Sequence, residues 1–376
     1  HTQTMMMTQT TTADVVAVTP PPSATSPQPQ PPCAAAPSPL YTPLVRALTA
    51  EDSSSSVITL ADTASWRAHL DTHGYVVVSD VVSPLNTDRL LRTLFDSLAA
   101  LGTGIDPHQP STLTTNCMPG YSNVGIIKDP AAGMAHSRFM WEARVAARPV
   151  FEALYGNETD LVTSFDTAGL FANFGLPALR KTRIKPAWLH VDQGHRALGT
   201  GKQCVQGFVN LLTADSQTGG FVVCPGSHHE FKQLIEDGYP RSKNFMMLDL
   251  TRRSTIDIVR RHPPVMICAP AGSVVLWDSR TIHSNAGALT SSPIPPIQSL
   301  PSVLRAIAYV CMMPRTRCNQ LSAATRLEYV MNSVITNHWP ILLDGVKNGP
   351  MAKERLLYPR HKSLRPIAFS AALDPA

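Results

Sequence analysis

The run Trp188-Leu189-His190-Val191-Asp192-Gln193 sets an imidazole and a carboxylate two residues apart in a segment with strand character. Side chains alternate along a strand, so His190 and Asp192 face one side. A neutral imidazole and a carboxylate on one face can share a divalent cation. A second, distant His would complete the facial triad of non-haem ferrous sites, which leaves open positions on an octahedral ion. The spacing alone is a weak signal. With 13 His and 19 Asp in 376 residues, about one His-x-Asp match arises by chance. A second match exists, His69-Leu70-Asp71. It ends a predicted helix, where residues two apart point to different sides, so it reads as a surface or capping pair.

The downstream context strengthens the first match. Gly272 to Asn285 reads as a strand and turn that deliver His283. A loop rich in proline follows (Pro293, Pro295, Pro296, Pro301), then a strand opening Val303-Leu304-Arg305-Ala306. A buried guanidinium needs an anionic partner, because an unpaired desolvated charge is costly. Arg305, one strand beyond the distal His, suits the far carboxylate of a 2-oxo diacid.

Five ordered blocks carry a family resemblance. They are LHVDQ (189–193), QGFVNL (206–211), the run Gly219 to His228, WDSRTIHSN (277–285) and RAIAYVCMMPR (305–315). Gly74 to Val78 and Ser164-Phe165-Asp166 are further landmarks. From about Thr63 to Pro340 the chain resembles the phytanoyl-CoA dioxygenase family of Fe(II)/2-oxoglutarate oxygenases. The resemblance implies a double-stranded β-helix, a jelly roll of cupin type, mainly β with flanking helices. It implies His190, Asp192 and His283 as iron ligands and Arg305 as partner of the 2-oxoglutarate C5 carboxylate. It also implies O2 as oxidant, with ascorbate as an accessory reductant. Gln206 and Trp277 are expected beside the co-substrate, or else as a satisfied polar residue and a core ring. Asp192 occupies the position that is a small residue in halogenating relatives, so hydroxylation or another oxidative outcome is favoured over halogenation. Two departures stand out. The segment 286–302 looks like an insertion, and Ile307 replaces the Ser or Thr that often helps hold the co-substrate carboxylate. Two other readings remain open, a catalytically silent binding protein of the same fold and a metal isomerase that would need no Arg305 partner.

Other candidates have a plainer reading. His195 is read as a loop residue, Arg183 and Lys185 as entering the ligand strand, and Arg280 as a structural partner of Asp278 or Asp166. Asn285 flanks the distal His, Met246-Met247 and Met312-Met313 read as core filler, and His338-Trp339-Pro340 as a packing element. Ser227-His228-His229 lacks the G-x-S-x-G elbow of a hydrolase.

The elements that must position these residues follow from texture. Helices are expected from a cap at Asp62 to about His69, over 85–101 and over 137–155, with a helical tail beyond Leu321. Short strands are expected at 75–78, 161–165, 187–191, 205–212, 221–224, 272–277 and 303–312. They are not separated by regular helices, which favours an antiparallel barrel or sandwich padded on one face. Ten of the 33 prolines lie between Pro20 and Pro43, and residues 1–56 read as a disordered Pro/Thr/Ser-rich tail. The catalytic domain is placed at 57–366, with a tail at 367–376.

A net charge of +5 without a basic patch does not point to nucleic acid, and a small-molecule substrate is the expected partner. Seven scattered cysteines suggest neither a zinc site nor a disulfide framework, and favour an intracellular, cytoplasmic setting. No apolar run is long enough to span a membrane. The chain begins at His1, so its N-terminus is read as incomplete; residues 1–44 hold no Lys or Arg, unlike a transit peptide.

Overall fold

The computed structural model describes residues 46–47, 56–114, 117–119, 125–127, 133–172, 188–194, 199–236, 245–287, 303–318 and 323–341. The chain divides into two units, His1–Ala36 and Pro37–Ala376, and every described residue belongs to the second. Expectations for Arg183, Lys185, His195, most of the 286–302 segment, most of the N-terminal tail and the C-terminal tail lie outside the described residues.

Helix α1, Thr63–His73, starts where the Asp62 carboxylate accepts from Ser65 N–H and stops at Gly74, which turns left-handed at φ 78°. Helix α2, Pro84–Ala100, is capped by Ser83 with proline in its first turn. Helix α3, Arg138–Leu154, is capped by Ser137. Leu90, Leu94, Phe139, Ala143 and Phe151 line the buried stripes of α2 and α3.

Strands β1 (Arg46–Ala47), β2 (Val57–Thr59), β3 (Tyr75–Ser79), β4 (Ile126–Ile127), β5 (Leu161–Thr163), β6 (Ala168–Ala172) and β7 (His190–Val191) precede β8 (Val205–Asn210) and β9 (Gly220–Val223). Helix α4 (Phe231–Glu236), β10 (Met246–Met247), helix α5 (Arg253–Arg261), β11 (Val265–Met266), β12 (Val274–Asp278), β13 (His283–Ala286), β14 (Val303–Pro314) and helix α6 (Ala323–Met331) follow. One sheet runs β1-β11-β9-β13-β7-β10 and the other β2-β3-β12-β8-β14-β6-β4, with β5 on β14. Pairing is antiparallel except for β1 with β11 and β2 with β3. Arg46–Ala47, inside the segment expected to be unstructured, thus forms an edge strand.

Alternation sorts the strands into two faces. Val205, Val209, Val274, Leu276, Ala306 and Ala308 join the core beneath α1, α2 and α3. Phe208, Trp277, Val275, Ile307 and Phe171 of the same sheet meet Phe221 and Val223 of the other between the sheets. The outer side of that second sheet packs Val191 and Leu189 against Phe231 and Leu234 of α4 and Ile258 of α5. The result is the expected jelly roll, two facing sheets around an interior. Helices cover both outer faces, not one as the sequence suggested, because the Ile258/Val259 pair of α5 has its own apolar sheet face to cover.

Candidate active site

His190 and His283 are direct cross-strand partners, the single register pair of β7 and β13. Asp192 follows β7 by one residue, and its backbone N–H donates to Ser279 O at 3.0 Å. These contacts bring three side chains together at one place between the sheets. One ligand atom from each of His190, Asp192 and His283 lies within 4.8 Å of the others. His283 Nε2 is 3.1 Å from Asp192 Oδ2, and His190 Nε2 is 3.6 Å from Oδ1.

Both imidazoles are held in one tautomer by the same device. His190 Nδ1 is 2.9 Å from Trp188 O, and His283 Nδ1 is 2.9 Å from Thr281 O. A carbonyl only accepts, so each Nδ1 carries the proton and each Nε2 turns a lone pair to the shared point. Burial, and then the neighbouring His283, push the His190 pKa down to about 4, which keeps it neutral. Burial alone would raise the Asp192 pKa, yet His338, His190 and His283 together hold its carboxyl well below the usual range. Two neutral nitrogens and one carboxylate oxygen are a donor set that suits a ferrous ion.

Arg305 enters from the opposite sheet. It is 0% exposed, and its guanidinium carbon lies 4.4 Å over the Phe171 ring. No carboxylate lies within salt-bridge distance among the described residues. Among the described residues Nη1 and Nη2 donate only to the Asn285 amide oxygen, at 3.4 and 3.5 Å, and Nε has no partner there. Gln206 and Trp277 are register partners on β8 and β12. Gln206 Nε2 and Trp277 Nε1 are likewise buried without acceptors, and the Trp277 ring is 5.3 Å from that of His283. Such donors, left unmatched in a folded interior, call for an acceptor-rich ligand. The lining therefore fits both a metal ion and a carboxylate co-substrate.

The other candidates separate from this cluster. Arg280 pairs with Asp278 at 2.7 Å, the structural reading. Asp71 is exposed and pairs with Lys202, but His69 is half-buried against Tyr75 and His73. Ser227 Oγ accepts from Ile282 N–H and His228 Nε2 faces Asp71 O, so no nucleophile–base pair forms. Met312, Met313 and Met246 are core residues, whereas Met247 is 41% exposed at the strand edge. None of the six described cysteines is in a disulfide.

Sequence reasoning missed three neighbours of the triad. His338, read as a packing residue, reaches Asp192 O with Nε2 at 3.2 Å from 146 residues away, a closure no local pattern announces. Trp188 stacks on His190 at 4.5 Å, and Phe245 meets it edge-on at 6.5 Å.

Comparison with known proteins places the chain in a family. The sequence profile of the family described as Phytanoyl-CoA dioxygenase (PhyH) matches residues 70–293. The "Ava biosynthesis cluster protein O" of Aspergillus versicolor is 24% identical over 290 residues, covering 73% of this chain and 86% of that protein. A "Putative phytanoyl-CoA dioxygenase" of Dictyostelium discoideum is 21% identical over 262 residues, 59% of this chain and 70% of that one. Among solved structures, EctD from S. alaskensis with bound Fe is 18% identical, with a TM-score of 0.39 over 68% of this chain and 77% of its own. The non-heme alpha ketoglutarate dependent carbocyclase SnoK from nogalamycin biosynthesis is 16% identical, with a TM-score of 0.42 over 65% and 82%.

Proposed function

Because this chain belongs to the phytanoyl-CoA dioxygenase family, an oxygenase family, we propose that it is an Fe(II)- and 2-oxoglutarate-dependent dioxygenase. Its reaction hydroxylates a C–H bond of a small organic or acyl substrate and releases succinate and CO2. The observation that carries this reading is a buried Arg305 with no carboxylate partner among the described residues, facing the same interior as the His190/Asp192/His283 cluster.

His190, Asp192 and His283 hold the metal, their Nε2 and carboxylate atoms preset by strand pairing and by the Trp188 and Thr281 carbonyls. Bound ferrous iron supplies the oxidising chemistry, with O2 and the 2-oxo acid as co-substrates and ascorbate as accessory reductant. Arg305 takes the far carboxylate, and its burial excludes the water that would weaken the pair. Gln206 and Trp277 donate from the side toward the same ligand. Trp188 covers one face of the His190 ring, and Phe245 meets that ring at right angles.

The test is succinate formation by purified protein with Fe(II), 2-oxoglutarate and ascorbate, run uncoupled and then against pools of acyl and small-metabolite substrates. His190→Ala and Asp192→Ala should each abolish metal-dependent succinate release. Full turnover by Asp192→Ala protein would sink the assignment.

A further inference from the structure

Of the three triad residues only Asp192 lies outside a strand, since β7 ends at Val191 and β13 begins at His283. Its aim therefore depends on what its own peptide groups meet. The backbone N–H donates to Ser279 O at 3.0 Å. The backbone carbonyl meets His338 Nε2 at 3.2 Å. A carbonyl only accepts, so this Nε2 carries a proton. The bond goes to the peptide and leaves both carboxylate oxygens to a cation.

His338 is delivered by the segment that follows α6, and that segment is fastened along its length. His136 Nε2 bonds Val334 O at 2.9 Å. Phe165 N–H donates to Thr336 Oγ1 at 2.8 Å, and Thr336 N–H donates back to Phe165 O at 2.9 Å. Trp339 is buried against Cys204, Cys311 and Met313, and Arg326 Nη1 donates to Pro340 O at 3.4 Å. Ser333 and Asn337 turn left-handed, at φ 54° and 56°. That conformation is costly for residues other than glycine and persists where the surroundings fix it. Asn337 directly precedes His338, and its turn brings the imidazole back to the end of β7. The anchors thus form a strap whose middle rests on the peptide of one triad residue.

We propose that His338 is a positioning residue of the metal site. Its hydrogen bond to the Asp192 carbonyl fixes the peptide that aims the Asp192 carboxylate, so the strap over 333–340 completes a site whose donor atoms all lie elsewhere in the chain. Ser279 and His338 hold the two peptide groups of Asp192 from opposite ends of the residue, which is the service that strand pairing performs for His190 and His283. This inference rests on the metal-site reading above and adds to it a dependence on a residue 146 positions away.

The experiment is titration of the metal-free full chain with Co(II), whose visible d–d bands report both its affinity and its coordination. His338→Gln keeps an N–H donor at nearly the reach of Nε2. His338→Leu has no donor, and the amide of His338→Asn is too short to arrive. One net hydrogen bond is at stake, so the Kd for Co(II) should rise about 2- to 10-fold in the Leu and Asn proteins. Their bands at saturation should differ from those of the wild type, and the Gln protein should keep wild-type affinity and bands. Thermal unfolding of the metal-free proteins reports folding separately. Should the Leu protein fail to fold, the comparison of Asn with Gln decides. A folded Leu or Asn protein with unchanged Kd and bands overturns the proposal even where its Tm falls, because a strap that only stabilises the fold gives that result. Equal weakening in the Gln protein overturns it as well. If His190→Ala leaves the wild-type Kd for Co(II) unmoved, the ion binds elsewhere and the metal-site reading itself falls.

Discussion

Replacing Arg305 by methionine should make the ligand-free protein more stable while destroying its response to co-substrate. Burial pushes the guanidinium pKa down to about 10 from 12.5, a penalty on the charged form of roughly 3 kcal/mol. The Phe171 face 4.4 Å away returns about 1–2 kcal/mol of that. The Asn285 contacts at 3.4 and 3.5 Å are too long to return much. Methionine keeps most of the apolar stem and discards the charge, an exchange that is neutral to stabilising when a buried charge lacks good partners. Denaturant unfolding of metal-free Arg305→Met protein should therefore give a gain of about 1–2 kcal/mol, a few degrees in Tm. With Fe(II) and 2-oxoglutarate under anaerobic conditions the order reverses. At a hundredfold excess over Kd the wild type gains about 2.7 kcal/mol, and Arg305→Met should gain less than about 1 kcal/mol by the same relation. The reasoning is refuted by an Arg305→Met protein that is less stable than wild type without ligand yet gains as much stability from the co-substrate.

Three further outcomes follow from the packing and titration. Phe139→Ala, at a wholly buried site between α3 and the large sheet, should cost about 3–5 kcal/mol in urea unfolding, and a loss below 1 kcal/mol would place Phe139 outside the core. Burial pushes His136 down to about 4 from 6.5; its folded value lies below its unfolded one, so the unfolded chain binds more protons between those values and stability rises with pH across that window. Acidification from pH 7 to 4 should remove up to about 3 kcal/mol through this residue, and His136→Phe should flatten the slope of the denaturation midpoint against pH. Gly74→Ala should lower stability by more than 1 kcal/mol, since Gly74 is left-handed and an added methyl would press on Thr281 Oγ1 and lie 2.6 Å from His228 Nδ1; an isothermal titration showing unaltered metal affinity would argue against a link from this turn to His283.

His190, Asp192 and His283 were named from the resemblance of five ordered blocks, to which local strand alternation added a weak signal of its own. Strand alternation sets His190 and Asp192 on one face whatever the partner strand, and a turn motif delivers His283. What no local pattern shows is the register that makes His283 the cross-strand partner of His190. Register is a tertiary property, set by which apolar faces meet. The same limit explains the missed elements. Strand β6 reads AGLFA, poor in β-branched residues, and is formed by pairing with β14. β10 and β11 have two residues each, too short to show a period. Helix α5 hides its short apolar stripe among three arginines and one aspartate in RSTIDIVRR.

The turn at Gly74 shows how the scaffold fixes the metal site from outside it. The Gly74 carbonyl accepts from Asp278 N–H and from Thr281 Oγ1, each at 2.9 Å. Thr281 in turn offers its own carbonyl to His283 Nδ1 at 2.9 Å. One carbonyl at the end of α1 thus pins both ends of the link between β12 and β13, and that link sets the tautomer and direction of the distal imidazole. Nearby, Gly226 N–H donates to His73 O at 2.8 Å, and Ser227 Oγ accepts from Ile282 N–H at 2.9 Å, so the turn after β9 fastens the same link from its other side. This gives the Ser227-His228 segment its role. It is a structural clamp on the His283 loop, and the serine that superficially suggested a nucleophile spends its lone pair on the Ile282 N–H beside His283.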